Sequence, residues 1–206
     1  MMSYSFFALI SRMRYIGRWG LMRNTMEENV SEHSHMVAVL AHALAVLKNE
    51  RFDGHVDPGE AVISAIYHDA PEILTGDLPT PVKYFNPDIK AAYKQVESVS
   101  AEKLLSLLPE ELRSIYRPYV SETCAPEIHA LVKAADKLSA YIKCLEELKA
   151  GNSEFREAAV TIRAALDENP LPEVHYFMDT FLPAFSLTLD ELQAEPETKT
   201  ERKTLT

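Results

Sequence analysis

Glycine is scarce, 6 in 206 residues, and aromatics are modest, while Ala, Leu and Glu abound; this composition favours helices over sheet. Cysteine is almost missing. Cys124 and Cys144 lie in no C-x-x-C spacing, which excludes a disulfide framework and a thiolate zinc site and suits a reducing cytoplasm. Positive charge is in deficit, 21 Lys and Arg against 31 Asp and Glu, and the formal net charge of -10 argues against nonspecific binding of a nucleic-acid polymer. A small phosphorylated substrate would instead need a local cationic pocket. The N-terminal run MMSYSFFALISRMRYI lacks a basic leader and is broken by Arg12 and Arg14, so it reads as neither a signal peptide nor a membrane span. No internal repeat at solenoid period is present.

What remains is a hydrophobic content of 47%, enough for a core in one domain, expected over residues 1–187, with a polar, charge-mixed tail over 188–206 predicted to fray or stay disordered. The expected fold is an all-α bundle. Phe6, Phe7, Leu9, Ile10 and Met13 predict a short helix ending near Gly17, followed by Arg18 beside Trp19, the chain's single tryptophan. An Arg and a large aromatic in one loop can serve a phosphate and a neighbouring ring or sugar. Asn29 and Glu32 form a capping pair for a helix through Leu47, with His33, Met36, Val37, Leu40, Leu44 and Leu47 on one stripe. His33 therefore sits on a buried face, where an imidazole needs a partner. His35 and His42 fall off the stripe and read as ordinary surface or satisfied histidines, His35 close enough to support the site from outside. Ile89, Tyr93, Val96, Val99 and Leu107 mark a further packing helix, and Glu110 to Tyr116 a short one. A long helix from Pro126 to a cap at Gly151 carries Ile128, Leu131, Val132, Ala135, Leu138, Ile142 and Leu145, with Asp136 at the edge of the stripe. Segments 155–166 and 174–181 complete the bundle.

The stretch AIYHDAPEILTGDLPT, Ala65 to Thr80, places His68, Asp69, Glu72 and Asp77 within ten positions. Asp57-Pro58-Gly59-Glu60 starts its helix, Pro71 is expected to kink it, and Thr75 to Pro87 reads as a loop carrying Asp77. At helical spacing Glu72 stands over His68 and Asp69. A His-Asp pair alone is a common surface dipeptide. Taken with His33 and Asp136, it gives two imidazoles and two carboxylates from three helices, a donor set for a single divalent transition metal in a bundle core.

The ordered pattern H…HD…D resembles the HD-domain phosphohydrolases. RWGLMR (Arg18 to Arg23), ENVSEHS (Glu28 to Ser34), YHDAPEILTGDLPTPVKYFN (Tyr67 to Asn86) and VKAADKLSAYIKCLEEL (Val132 to Leu148) are similar to the bacterial 5′-deoxynucleotidases of that superfamily. The resemblance implies hydrolysis of 2′-deoxyribonucleoside 5′-monophosphates by a cytoplasmic homodimer, with one divalent metal per chain, cobalt, manganese or another transition metal. It further implies His33, His68, Asp69 and Asp136 as metal ligands, Glu72 as the acid/base residue and Arg18 as the group that orients the phosphate. Trp19, Asp69, Asp77, Leu78, Pro79 and Thr80 match its substrate-binding positions. The family more usually has Ala-Ser where this chain has Ala70-Pro71. No second His-rich motif is present for a two-metal phosphodiesterase. The rival readings are an HD phosphohydrolase acting on ribonucleotides or triphosphates, and a nucleotide-sensing module without catalysis; the retained Glu72 weighs against the second.

Overall fold

The structure, a computed structural model, describes residues 3–83 and 85–193. Eleven helices are described: α1 (Phe6–Ile10), α2 (Val30–Arg51), α3 (Pro58–Tyr67), α4 (Glu72–Thr75), α5 (Thr80–Lys83), α6 (Pro87–Ser106), α7 (Glu110–Val120), α8 (Pro126–Lys149), α9 (Arg156–Asp167), α10 (Pro172–Thr180) and α11 (Leu189–Leu192). Among the described residues there is no strand, only an isolated antiparallel bridge between Gly17 and Asn29. The all-α expectation holds.

Start and stop signals explain where the long helices sit. Asn29 accepts from the Glu32 N–H while Glu32 reaches back to the Asn29 N–H, a reciprocal capping box that anchors α2. Asp57 caps α3 through the Gly59 N–H at 2.7 Å. At the far end of α8, Gly151 adopts φ 86°, and the N–H groups of Gly151 and Asn152 return to the carbonyls of Leu148 and Glu147, both at 2.9 Å. A side chain with a Cβ would be strained at that φ.

Helices α2, α3 and α8 pack together as the centre of the bundle. Val37, Leu40, Leu44, Leu131, Leu138 and Ile142 meet there, and Leu166 and Phe177 close the cluster from α9 and α10. By length and composition α2 could cross a membrane; in this fold its buried face lies in the core instead. A second cluster, around Phe6, Leu104, Leu105 and Val120, joins α1 to α6 and α7.

Three local expectations are corrected. The helix carrying the His-Asp pair does not run on through a kink: α3 stops at Tyr67, and residues 68–71 form a tight turn before α4. Pro71 has no N–H to extend the ladder, and the chain contracts to i→i+3 bonds, Ala70 N to Tyr67 O at 2.9 Å and Glu72 N to Asp69 O at 3.0 Å. Residues 75–87 are not wholly loop, since α5 forms within them. On α6 the predicted stripe is turned outward: Ile89, Val96 and Val99 are exposed, and Ser100, Ala101, Leu104 and Leu105 are buried instead. At the predicted tail, Thr188 caps the single turn α11 through a box with Glu191; residues 194–206 of that tail lie outside the described residues.

Candidate metal centre

His33 projects from the first turn of α2, His68 and Asp69 from the turn after α3, and Asp136 from the middle of α8. The four sequence-predicted ligands meet at one point. His33 Nε2 lies 3.0 Å from Asp136 Oδ1 and 3.5 Å from Asp69 Oδ2, and His68 Nε2 lies 3.2 Å from the same Asp69 oxygen. His33, His68 and Asp136 each offer a ligand atom within 4.8 Å of the others. Donors bonded at about 2.1 Å stand roughly 3.0 Å apart at right angles and roughly 3.4 Å apart in a tetrahedron, so these gaps suit a transition ion.

The tautomers agree. His68 Nδ1 lies 2.7 Å from the Ala65 carbonyl, which can only accept, so Nδ1 carries the hydrogen and Nε2 keeps a lone pair. His33 Nδ1 pairs with Ser139 Oγ at 3.2 Å, and an Nδ1–H donating there leaves its Nε2 free in the same way. Both Nε2 atoms are buried without a hydrogen-bond partner. Two buried imidazole nitrogens with no partner are costly unless an acid or a cation meets them. Two neutral imidazoles and two carboxylates carry a charge of about -2, which a divalent ion balances. The residues therefore fit a metal. With no metal bound, burial alone would raise the Asp69 and Asp136 carboxyls, yet the adjacent imidazoles in their protonated form, joined at Asp69 by Arg18, hold both well below the usual range.

Arg18 reaches this cluster from the loop before α2. Its Nε donates to Glu28 Oε2 at 3.1 Å and its Nη1 approaches Asp69 Oδ2 at 3.4 Å. Burial works against its charge, but Asp69, Asp136, Glu28 and Asp77 more than offset that. The Trp19 indole N–H donates to the same Glu28 Oε2 at 2.9 Å, and its ring packs on Phe155 with centroids 5.2 Å apart. Trp19 itself has φ 59°, a left-handed conformation unusual for a bulky residue. Asp77 is half-buried in the loop after Gly76, close enough to Arg18, Asp69 and His33 for their charges to act on it; burial raises its carboxyl. Leu78 and Pro79 are half-buried beside it, and Thr80 begins α5.

Glu72 opens α4 and is 6% exposed, with Oε2 unpartnered. Burial first, then the negative charges of Asp69 and Asp77, push its carboxyl up to about 9. The i→i+3 turn aligns it with Asp69, rather than with His68 as an unbroken helix would. His35 and His42 are exposed, and neither belongs to the His33, His68 and Asp136 cluster. Sequence reasoning missed Ser139 and Glu28 as site residues. Ser139 could have been found, because it lies three residues beyond Asp136 on the same helix.

A His/His/Asp cluster drawn from two helices and the turn after a third, in an all-α bundle, is what the resemblance to the HD-domain phosphohydrolases implies, and solved structures of that class share the fold. An HD-domain phosphohydrolase from Listeria innocua superposes with a TM-score of 0.78 at 24% identity, over 88% of each chain. The cyanophage S-2L HD phosphohydrolase DatZ, whose structure holds dA and one catalytic Zn2+, has a TM-score of 0.58 at 23% identity, over 86% of this chain and 95% of that one. The family described as 5'-deoxynucleotidase YfbR-like matches residues 5–185, and this chain belongs to it. It is 53% identical to the 5'-deoxynucleotidase of Erwinia tasmaniensis and 51% identical to the 5'-deoxynucleotidase YfbR of Escherichia coli (ATCC 8739), each over 92% of this chain and 96% of the relative.

Proposed function

We propose that this chain is a metal-dependent 5′-deoxynucleotidase that hydrolyses 2′-deoxyribonucleoside 5′-monophosphates to the deoxynucleoside and phosphate. The observation that carries the reading is the convergence of two unpartnered imidazole nitrogens with Asp69 and Asp136, next to Arg18 and Glu72, in a chain about half identical to curated 5′-deoxynucleotidases. His33, His68, Asp69 and Asp136 would hold one divalent ion, cobalt, manganese, zinc or a similar metal. Such an ion neutralises phosphate oxygens and lowers the proton affinity of water.

The remaining work falls to the chain's own side chains. Arg18 presents its planar fork to the phosphate oxygens, with Glu28 fixing the guanidinium plane from behind. Glu72 takes or relays the proton of the attacking water; its raised carboxyl responds to any charge that offsets Asp69 and Asp77. Once Arg18 fixes the phosphate, the sugar must lie within a few bonds. Trp19, braced by Phe155 and Glu28, is a stiff wall against a 2′-hydroxyl, and Asp77 is the acceptor for the 3′-OH. An apolar wall alone discriminates by only ~10²-fold against an added hydroxyl, so a larger preference needs a clash or a misdirected hydrogen bond as well. Leu78, Pro79 and Thr80, next in the chain after Asp77, are the remaining substrate-binding positions of this proposal.

A cytoplasmic homodimer completes the proposal. Both cysteines are free, which suits a reducing compartment. The outward face of α6, with Ile89, Val96 and Val99 exposed by 37%, 50% and 70%, is an apolar surface that a second copy would cover. Val99→Glu should then shift the sedimentation of the protein toward the monomer. For the activity, Asp69→Ala should lower bound metal and phosphate release together, and a chelated preparation should recover activity when a divalent metal is returned. A metal-free preparation working at the full rate would refute the reading.

A further inference from the structure

Residues 18–28 carry Arg18, Trp19 and Glu28 yet contain no helix. The ends of this loop are tied by the Arg18 N–H donating to the Glu28 carbonyl at 2.9 Å and by the bridge of Gly17 with Asn29. Its middle is held from elsewhere, by two side chains of α8. Glu147 is 1% exposed, and its carboxylate accepts from the Thr25 N–H at 2.9 Å, the Thr25 hydroxyl at 2.6 Å, the Met26 N–H at 3.2 Å and the Asn152 amide at 2.9 Å. Lys143, 5% exposed, donates to that carboxylate and to the Met26 carbonyl, both at 2.5 Å.

A buried ion pair is weak evidence of stabilisation, since well-packed apolar residues of similar volume often serve stability as well or better. What an apolar pair cannot do is hold backbone donors and an acceptor of Thr25 and Met26 at fixed places. The same lysine nitrogen lies 5.8 Å from the centre of the Phe155 ring, the ring on which Trp19 packs. Lys143 and Glu147 thus hold the middle of the loop, and Lys143 also faces the ring beneath its tryptophan, about two and three turns along α8 from Asp136.

We propose that Lys143 and Glu147 are positioning residues for sugar selection: they fix the loop so that Trp19 and Arg18 face the sugar and phosphate of one bound nucleotide. This rests on the reading of Trp19 as the wall against ribose.

The test compares Glu147→Gln, the double variant Lys143→Met/Glu147→Leu and Trp19→Ala with the parent, all metal-loaded. The readouts are kcat and KM for a deoxy- and a ribonucleoside monophosphate of the same base, bound metal, and Tm. The expected result is full metal content in every variant, with the deoxy/ribo ratio of kcat/KM falling on the order of tenfold in the double variant, since a ~1 Å displacement of binding groups can cost up to 10²-fold. Glu147→Gln should fall less, because an amide oxygen still accepts from Thr25; it carries the test alone if the double variant does not fold. A parental ratio in a folded, metal-loaded pair variant overturns the inference when Trp19→Ala does lower the ratio. If Trp19→Ala leaves the ratio unchanged, the reading of Trp19 has failed and the inference falls with it. Loss of Tm with no change of ratio assigns the pair to stability alone and also overturns the proposal.

Discussion

Replacing Glu72 by Gln should separate activity from stability in opposite directions. The carboxyl is raised from 4.5 to about 9 in the folded, metal-free chain, by burial and by Asp69 and Asp77. A raised acid favours folding fully below pH 4.5, and that contribution is lost as pH climbs toward 9. At pH 7 the unfolded chain has released the proton and the folded chain keeps it, a gap of 2.5 units or on the order of 3 kcal/mol against folding. Gln does not titrate and escapes the penalty. In chelated protein the variant should therefore match wild type near pH 4 and gain stability steadily above it, by roughly 6–12 °C in Tm at pH 7 for a domain of this size. Activity should move the other way, falling about 10²–10⁴-fold, or about 3–5 kcal/mol of transition-state stabilisation, as for a positioned acid/base group. Thermal melts across pH, phosphate release and bound metal are the assays. Retention of more than about a tenth of wild-type turnover would remove Glu72 from the proton-transfer role. Loss of bound metal together with activity would make it a ligand instead.

Asp77→Ala should weaken deoxynucleotides mainly through KM, by the lost hydrogen bond to the 3′-OH, and should change a 3′-deoxy substrate little; equal effects on both would place the 3′-OH elsewhere. Leu138, fully buried on α8 in the central cluster, should cost about 2–5 kcal/mol when cut to Ala, read by urea denaturation. Glu147 responds to acid: burial would raise its carboxyl, but bonds from Lys143, Thr25 and Asn152 outweigh it and hold it well below the usual range. That contribution is present above pH 4.5 and is lost as pH falls toward the depressed value. Glu147→Gln should therefore melt lower than wild type at pH 7, with the difference shrinking below pH 4.5.

The helices of the core were legible because burial on α2 and α8 follows one continuous stripe, and the caps at Asn29, Asp57 and Gly151 are local chemistry. The four proposed ligands were legible because His33 and Asp136 sit at fixed places on helices that the pattern locates, and His68 and Asp69 directly follow the end of a third. On α6 the pattern misled, because Ile89, Val96 and Val99 do share a face; periodicity alone does not say on which side α4, α5 and α7 lie. The turn at 68–71 turned on one missing N–H, whose effect on the ladder could be placed at Pro71 but not its extent. Glu28 and Glu147 were illegible as site supports. Their roles come from partners on an irregular loop, which for Glu147 lie more than a hundred residues away, and no stripe or spacing encodes such a meeting.

The central claim is tested most directly by phosphate release from a deoxyribonucleoside 5′-monophosphate and the ribonucleotide of the same base, measured as kcat/KM before chelation, after it and after return of a divalent metal. The account predicts activity that vanishes with the metal, returns with it, and favours the deoxynucleotide by ~10²-fold or more. Equal kcat/KM for the two sugars, or full turnover without metal, would contradict it.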